Sequence, residues 1–269
     1  MRRILVLGCS GSGKSTFARK LHNATGLPLY HLDNVWWRPD RTHITREEFD
    51  ARLAEIVSRD RWIIDGDYSR TYEKRIAACD TVIFLDFGEE ICLKGIAERI
   101  GKERADIPWT EDRPDPELEE LVRKYGKDNK PKLMELFGRY PEKRVITFGS
   151  RPEADHWLIK TFIIGSTVKG TVDRPLGSAH PEYPDMIYPV NYGYAYGIMA
   201  GDGEEQDVYV LGVDKPVGTF EGRVIAVYHR FKDAEDKWIV TTDGSDYSDD
   251  EILETIRFQE QYFEGELVR

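Results

Sequence analysis

Gly8-Cys9-Ser10-Gly11-Ser12-Gly13-Lys14-Ser15 follows the apolar run Ile4-Leu5-Val6-Leu7 and leads into Ser15–Thr25, where Phe17 and Leu21 fall at helical spacing and Gly26 supplies a stop. The octapeptide matches the pattern Gly-x-x-x-x-Gly-Lys-Ser/Thr in full. It also sits where the pattern has a mechanism, after a strand and at the start of a helix. Glycines let backbone N–H groups converge on anionic oxygens, and the helix start adds partial positive charge. Lys14 can reach the outer phosphates of a nucleotide, and Ser15 can ligate Mg²⁺. Gly8, Gly11, Ser12, Gly13, Lys14, Ser15 and Thr16 are the expected phosphate-binding residues, with ATP and Mg²⁺ as the expected cofactors. The plain alternative is a glycine turn that happens to precede a lysine.

Further apolar runs at Trp62–Ile64, Thr81–Leu85 and Arg144–Thr147 alternate with helix-like stretches at Arg46–Ser58, Glu90–Ile100 and Pro131–Gly138. That alternation predicts an α/β domain with a parallel sheet and helices on both faces. Gly101–Asn129 is charged, carries Pro108, Pro114 and Pro116, has few apolar anchors and reads as a mobile lid. After Lys160 the runs become short and β-prone (Phe162–Ile164, Asp207–Leu211, Val224–Val227, Lys237–Thr242), and a helix is expected over Asp249–Phe263. The expected organisation is therefore two domains, 1–160 and 161–269, the second a small mostly-β barrel with a C-terminal helix. No repeat and no low-complexity segment interrupts the chain, and the junction Trp157–Gly165 lacks the composition of a linker.

The charge divides along the same line. Lys plus Arg number 29 against 28 Asp plus Glu up to residue 160, and 9 against 21 after it, so nearly all of the net −11 lies in the second part. Clustered carboxylates repel nucleic acid phosphates and hold hard cations, which favours a metal over DNA as partner, although a merely solvated acidic surface gives the same count. Cys9, Cys79 and Cys92 have no metal-ligand spacing and fit a reducing cytoplasm. No stretch approaches a membrane span, so small molecules are the expected partners, with a homo-oligomer left open.

Asp65 closes Trp62-Ile63-Ile64 and precedes Gly66-Asp67-Tyr68, placing a carboxylate at the C-terminal edge of a parallel strand. It is a candidate Mg²⁺ ligand, Asp86 competes for that role, and an ordinary Asp-Gly turn is the alternative. Together, Gly8–Ser15, Leu32-Asp33, Trp36-Trp37-Arg38, Trp62–Arg70 and Val82–Phe87 resemble the adenylate-kinase-related P-loop proteins often labelled topology modulation proteins, over about residues 1–158. The resemblance implies phosphoryl transfer from Mg-ATP, with Asp65–Tyr68 beside the acceptor. It makes Arg38, Arg70, Arg99 and Arg113 candidates for neutralising the moving phosphoryl group. Trp36, Trp37 and Trp62 either stack on an acceptor base or fill the core.

In the second part, three phrases stand in order: Tyr188-Pro189-Val190-Asn191-Tyr192-Gly193-Tyr194, Asp202–Val208 and Asp233–Lys237. Together they resemble soluble family I inorganic pyrophosphatases over about residues 161–264. The resemblance implies Mg²⁺-dependent hydrolysis of pyrophosphate. By it Asp202, Asp207, Asp233 and Glu235 hold metal, Glu204 orients the attacking water, and Tyr192, Lys237 and Tyr262 contact phosphate. Glu204 and Glu235 stand where the family has Asp, Phe263 stands where it usually has Lys, and a cationic hairpin before Tyr188 is missing. Arg174, His180 or the first domain can substitute for the lost cations. The expectation is a bifunctional phosphate-handling enzyme. Its rivals are a kinase carrying a pyrophosphate sensor that does not hydrolyse, and a DNA-associated regulatory ATPase.

Overall fold

Long apolar runs that are buried on both faces favour parallel pairing, and the N-terminal part of the chain follows that rule. The computed structural model describes residues 1–231, 233 and 235–269, which divide into two units, Met1–Asp155 and His156–Arg269. Ala234 of the third acidic phrase lies outside the described residues. In the first unit the elements run β1 (Arg3–Gly8), α1 (Lys14–Thr25), β2 (Leu29–His31), α2 (Leu32–Trp36), α3 (Arg46–Val57), β3 (Trp62–Asp65), α4 (Tyr72–Ala78), β4 (Thr81–Leu85), α5 (Glu89–Glu98), α6 (Pro116–Asp128), α7 (Lys130–Arg139) and β5 (Arg144–Phe148), and α8 (Arg151–Leu158) then crosses the division.

The five strands form one sheet in the order β2-β3-β1-β4-β5, and every pairing is parallel. The chain winds to one side of β1 first and to the other afterwards. The carboxyl end of β1 is therefore a switch point, the place where open parallel sheets bind ligands, and the glycine loop starts there. Ile4–Leu7, Trp62–Ile64 and Val82–Leu85 are buried, and Phe17 and Leu21 of α1 pack into the same core. Gly26 ends α1 in the left-handed conformation at φ 64°.

The expected lid contains a helix of 13 residues, α6. Asp115 caps it, accepting from Glu117 N at 2.9 Å and Leu118 N at 3.2 Å, and Pro116 occupies its first turn. Val122 and Tyr125 bury its inner face. Of the three prolines in the segment, Pro116 marks the helix start.

Arg75 on α4 is wholly buried. Its guanidinium donates to the carbonyls of Gly66 (2.7 Å), Asp67 (3.2 Å) and Tyr68 (3.1 Å), and Nε to Thr71 Oγ1 (3.0 Å). Burial brings its pKa down to about 10, and those bonds fix the loop after β3. Arg75→Met takes this donor from the carbonyls of Gly66 and Asp67, while Tyr68 O still accepts from Thr71, so a loss of about 2–4 kcal/mol in the urea unfolding of this unit is expected.

The second unit runs β6 (Thr167–Arg174), β7 (Asn191–Met199), β8 (Glu205–Leu211), β9 (Thr219–Arg230), β10 (Lys237–Thr241), α9 (Asp249–Glu260) and β11 (Gly265–Val268). Strands β6, β7, β8, β10 and β9 close into a barrel whose β8–β10 contact is parallel, while β11 pairs with the Val227–Arg230 end of β9. Closure removes the exposed edges that short β-prone segments otherwise present. Tyr188, Tyr192 and Tyr209 lie in contact in the core with centroids 5.5 and 5.0 Å apart, and Ile252 and Ile256 of α9 belong to the same cluster. A capping box between Ser248 and Glu251 starts α9.

Two expectations need correction here. Phe162–Ile164 is not a strand: Ile159–Ile163 winds as a π-helix, and Ile164 N bonds to Ile159 O at 3.0 Å. Aromatic and β-branched composition was overridden by continuation from α8. The first barrel strand is β6, in which Val168, Gly170 and Val172 alternate with more exposed residues. The closing helix ends at Glu260 rather than Phe263, because the chain turns there into β11.

Candidate functional site

The loop from Gly8 to Ser15 owes its shape to residues without side chains. Gly11 and Gly13 have φ of 83° and 89°, a region costly for other residues. A Cβ on Gly11 would stand 2.0 Å from the carbonyl oxygen of Cys92, and one on Gly95 would stand 2.0 Å from that of Gly11. Helix α5 thus packs backbone to backbone against the loop, and Arg151 Nη2 donates to Gly11 O at 3.0 Å. Neither Gly95 nor Arg151 stood out in the sequence, since each acts on a loop more than 80 residues away. Gly11→Ala forces the loop off its shape, so the urea unfolding of this unit should lose at least the equivalent of about 1–2 kcal/mol of left-handed strain.

Above the loop lies a cavity of about 370 Å³, lined by Gly11–Thr16 together with Arg99, Lys102, Arg104 and Arg151. Lys14 is 8% exposed. Ser12 is fully buried and its Oγ has no hydrogen-bond partner, an unfilled donor inside the loop. A cation-rich concavity at a helix N-terminus suits a polyphosphate.

Ser15 is engaged by Asp106, which sequence reasoning passed over because it lies in the charged stretch before α6. Burial raises the Asp106 pKa, but bonds from Arg104 and Ser15 outweigh it and hold the carboxyl at about 2. Arg104 links Asp106 to Glu111, bonding Asp106 Oδ1 at 3.0 Å and Glu111 Oε2 at 2.8 Å. Arg99 pairs with Glu111 at 2.6 Å, and burial and the neighbouring Arg104 lower its pKa.

Of the four candidate arginines, Arg99 alone borders this cavity. Arg113 is exposed and faces a separate cleft with Leu93 and Ile96, because Pro114 and the start of α6 direct it away from the loop. Arg70 is exposed and held by Asp50 through bonds of 2.7 and 2.8 Å, and Arg38 lies exposed on a turn. Asp65 is 2% exposed at the end of β3, where its Oδ2 meets His31 Nδ1 at 2.7 Å. Asp86 accepts from Lys130 at 2.8 Å. Trp62 is core, whereas Trp36 stacks on His43 at 4.5 Å and Trp37 meets Trp109 edge-on at 5.4 Å.

In the barrel, Asp207 accepts from Tyr192 Oη at 2.5 Å and from the buried ammonium of Lys237, which also bonds Glu235. Glu235 and Asp202 share a hydrogen bond; burial first, then that bond, raises the Glu235 pKa to about 7, and the same bond lowers that of Asp202. Burial, reinforced by Asp207, pushes the Tyr192 phenol well up. Arg174 lies over the Tyr192 ring at 5.0 Å and supplies a second cation. Asp202, Asp207, Glu235, Lys237 and Tyr192 are therefore brought together.

The other candidates are placed differently. Asp233 accepts from Arg230 at 2.9 Å, and Arg230 in turn bonds Glu260 twice at 2.8 Å. Glu204 is exposed, and its N–H donates to Asp202 Oδ1 at 3.0 Å. Tyr262 is 70% exposed beyond the end of α9. Oxygen donors of this kind suit Mg²⁺. Among the described residues, however, no group of three His, Cys, Asp or Glu side chains is arranged to hold a metal ion. The carboxylates suit magnesium by donor type and not by their arrangement, in which Lys237 lies between two of them.

No protein-family model matches the chain, and no curated protein matches it. Solved structures do. The chain is similar to the inorganic pyrophosphatase from Neisseria gonorrhoeae, with 21% identity, a TM-score of 0.29 and coverage of 39% of this chain and 80% of that one. It is similar to that from Ehrlichia chaffeensis, with 20% identity, a TM-score of 0.31 and coverage of 38% and 85%. For the enzyme from Thermus thermophilus the values are 22%, 0.29, 36% and 72%. The likeness falls on the barrel region.

Proposed function

We propose that the chain handles phosphoanhydrides at two places. Its first unit binds Mg-ATP at Gly8–Ser15 and transfers the terminal phosphoryl group to a small acceptor, and its second unit hydrolyses pyrophosphate or a related diphosphate with Mg²⁺. One observation carries the reading: a left-handed glycine loop with a nearly buried lysine, at the switch point of a parallel sheet, under a cavity rimmed by cations.

In the first unit, loop amides and Lys14 bind the outer phosphates, and Arg99, Arg104 and Arg151 place positive charge around them. Ser15 and Asp106 are the oxygen donors beside the phosphates that would hold Mg²⁺. In the second unit, Lys237 and Arg174 would attract the diphosphate, Tyr192 holds Asp207 in place, and Asp202, Asp207 and Glu235 would offer oxygen donors of the type that suits Mg²⁺. Magnesium supplies charge against the phosphate oxygens when bound. The test is paired assays on the full chain with Mg²⁺, for ADP formed from ATP with added acceptors and for phosphate released from pyrophosphate. Both activities are expected. Release of phosphate from neither compound, with no ADP formed, refutes the reading.

A further inference from the structure

Two of the cations on the rim of the first unit's cavity are held by one carboxylate. Arg99 and Arg104 both line the cavity above the phosphate loop. Arg99 Nη2 donates to Glu111 Oε1 at 2.7 Å and Arg104 Nη1 donates to Glu111 Oε2 at 2.8 Å, so the oxygens of a single side chain are divided between two guanidiniums. Arg104 continues to Asp106 Oδ1 at 3.0 Å, and Asp106 engages Ser15 at the start of α1. A chain of charged hydrogen bonds therefore runs from the rim into the loop. The side chains of Arg99, Arg104 and Glu111 are 20, 18 and 19% exposed, which sets these pairs apart from the weak ion pairs of an open surface.

Glu111 is itself fixed, because Gly101 N donates to Glu111 O at 2.7 Å and ties the ends of the 101–111 segment together. It borders the separate cleft with Leu93 and Ile96, so it reaches the phosphate cavity through the arginines. Guanidiniums this close repel one another: burial first, then the charge of Arg104, lowers the Arg99 pKa. A shared anion offsets that repulsion. A guanidinium has more N–H groups than these bonds use, and the rest are available to phosphate oxygens. Without the anion, two long side chains would have to be ordered against like charge each time a polyphosphate arrived, and that ordering is taken from the binding energy. Asp106 is also an oxygen donor suited to Mg²⁺, so Glu111 is the anion left to hold Arg104 in a loaded site.

We propose that Glu111 is a positioning residue of the phosphate site: it holds Arg99 and Arg104 as a pair over the outer phosphates of the nucleotide and so sets the preference for a triphosphate over a diphosphate. The proposal rests on the Mg-ATP reading above. The outer phosphates are the relevant ones because Arg104 is linked through Asp106 to Ser15, the residue placed beside them in that reading. The charge of Glu111 acts in the opposite sense, since a carboxylate near an anion weakens its binding and its removal would, by charge alone, tighten ATP. Positioning predicts the reverse, which gives the experiment a sign.

The experiment is calorimetric titration of the full chain with ATP and with ADP, each with Mg²⁺, for wild type and Glu111→Ala, alongside urea unfolding. In Glu111→Ala, ATP binding should weaken by about tenfold and ADP binding by about twofold or less. The ATP-to-ADP preference then shrinks, whereas a merely structural role weakens both nucleotides alike. Should Glu111→Ala show no folded first unit in urea, Glu111→Gln, which keeps the shape without the charge, is held to the same ratio. ATP bound as tightly as by wild type or more tightly, or ATP and ADP weakened equally, overturns the role of Glu111 alone. Wild-type protein that binds no ATP overturns the Mg-ATP reading, and the role of Glu111 with it.

Discussion

Lys14→Ala should remove ATP-dependent transfer almost entirely while leaving pyrophosphate hydrolysis unchanged. In the proposed reading Lys14 reaches the outer phosphates; it is nearly buried, so its ammonium would act in a poorly solvated setting where charge on phosphate oxygens is felt strongly. Removal of one preorganised electrostatic group of this kind costs about 10²–10³ in rate. Truncation to alanine creates no new contact, and the sheet below is held by other residues. Steady-state ADP formation and pyrophosphate turnover, measured on the same preparation, separate the outcomes. A joint loss of both activities would mean that the two units do not act independently.

Asp207→Asn should do the converse. Asp207 is the point where Tyr192 and Lys237 meet, so its charge fixes both groups as well as contributing to the carboxylate set. Its loss should lower pyrophosphate hydrolysis by about 10²-fold or more, without weakening pyrophosphate binding in the absence of metal, since the substitution removes a negative charge near an anion. ATP-dependent transfer should be untouched. Wild-type protein that binds pyrophosphate and never cleaves it would instead favour a sensing module, and an unaltered rate in the variant would make Asp207 a solvated surface acid.

Much of the first unit was legible because its signals are local. An apolar run, a glycine turn and a helical repeat are adjacent in the chain, and the strands Trp62–Asp65 and Thr81–Leu85 are buried on both faces and so read as continuous apolar runs. What escaped depends on distant packing. Arg75 turns inward, where it donates to carbonyls of the loop after β3. Gly95 lies against Gly11 because α5 leaves no room for a side chain. Asp106 is one acid among many in a charged stretch until the fold sets it beside Ser15. Phe162–Ile164 misled for the opposite reason, since its β-prone composition yielded to the helix entering it. In the barrel, Tyr192, Glu235 and Lys237, three of the residues singled out in the ordered phrases, lie beside Asp207. Spacing alone does not reveal that Asp233 faces Arg230, or that Lys237 enters between two carboxylates.

Calorimetric titration of the intact protein with ATP and Mg²⁺ bears most directly on the phosphate loop. The account predicts saturable one-to-one binding to the wild type, lost in Lys14→Ala and retained in Asp207→Asn. Heats for the wild type no different from dilution, or equal binding by Lys14→Ala, would contradict it.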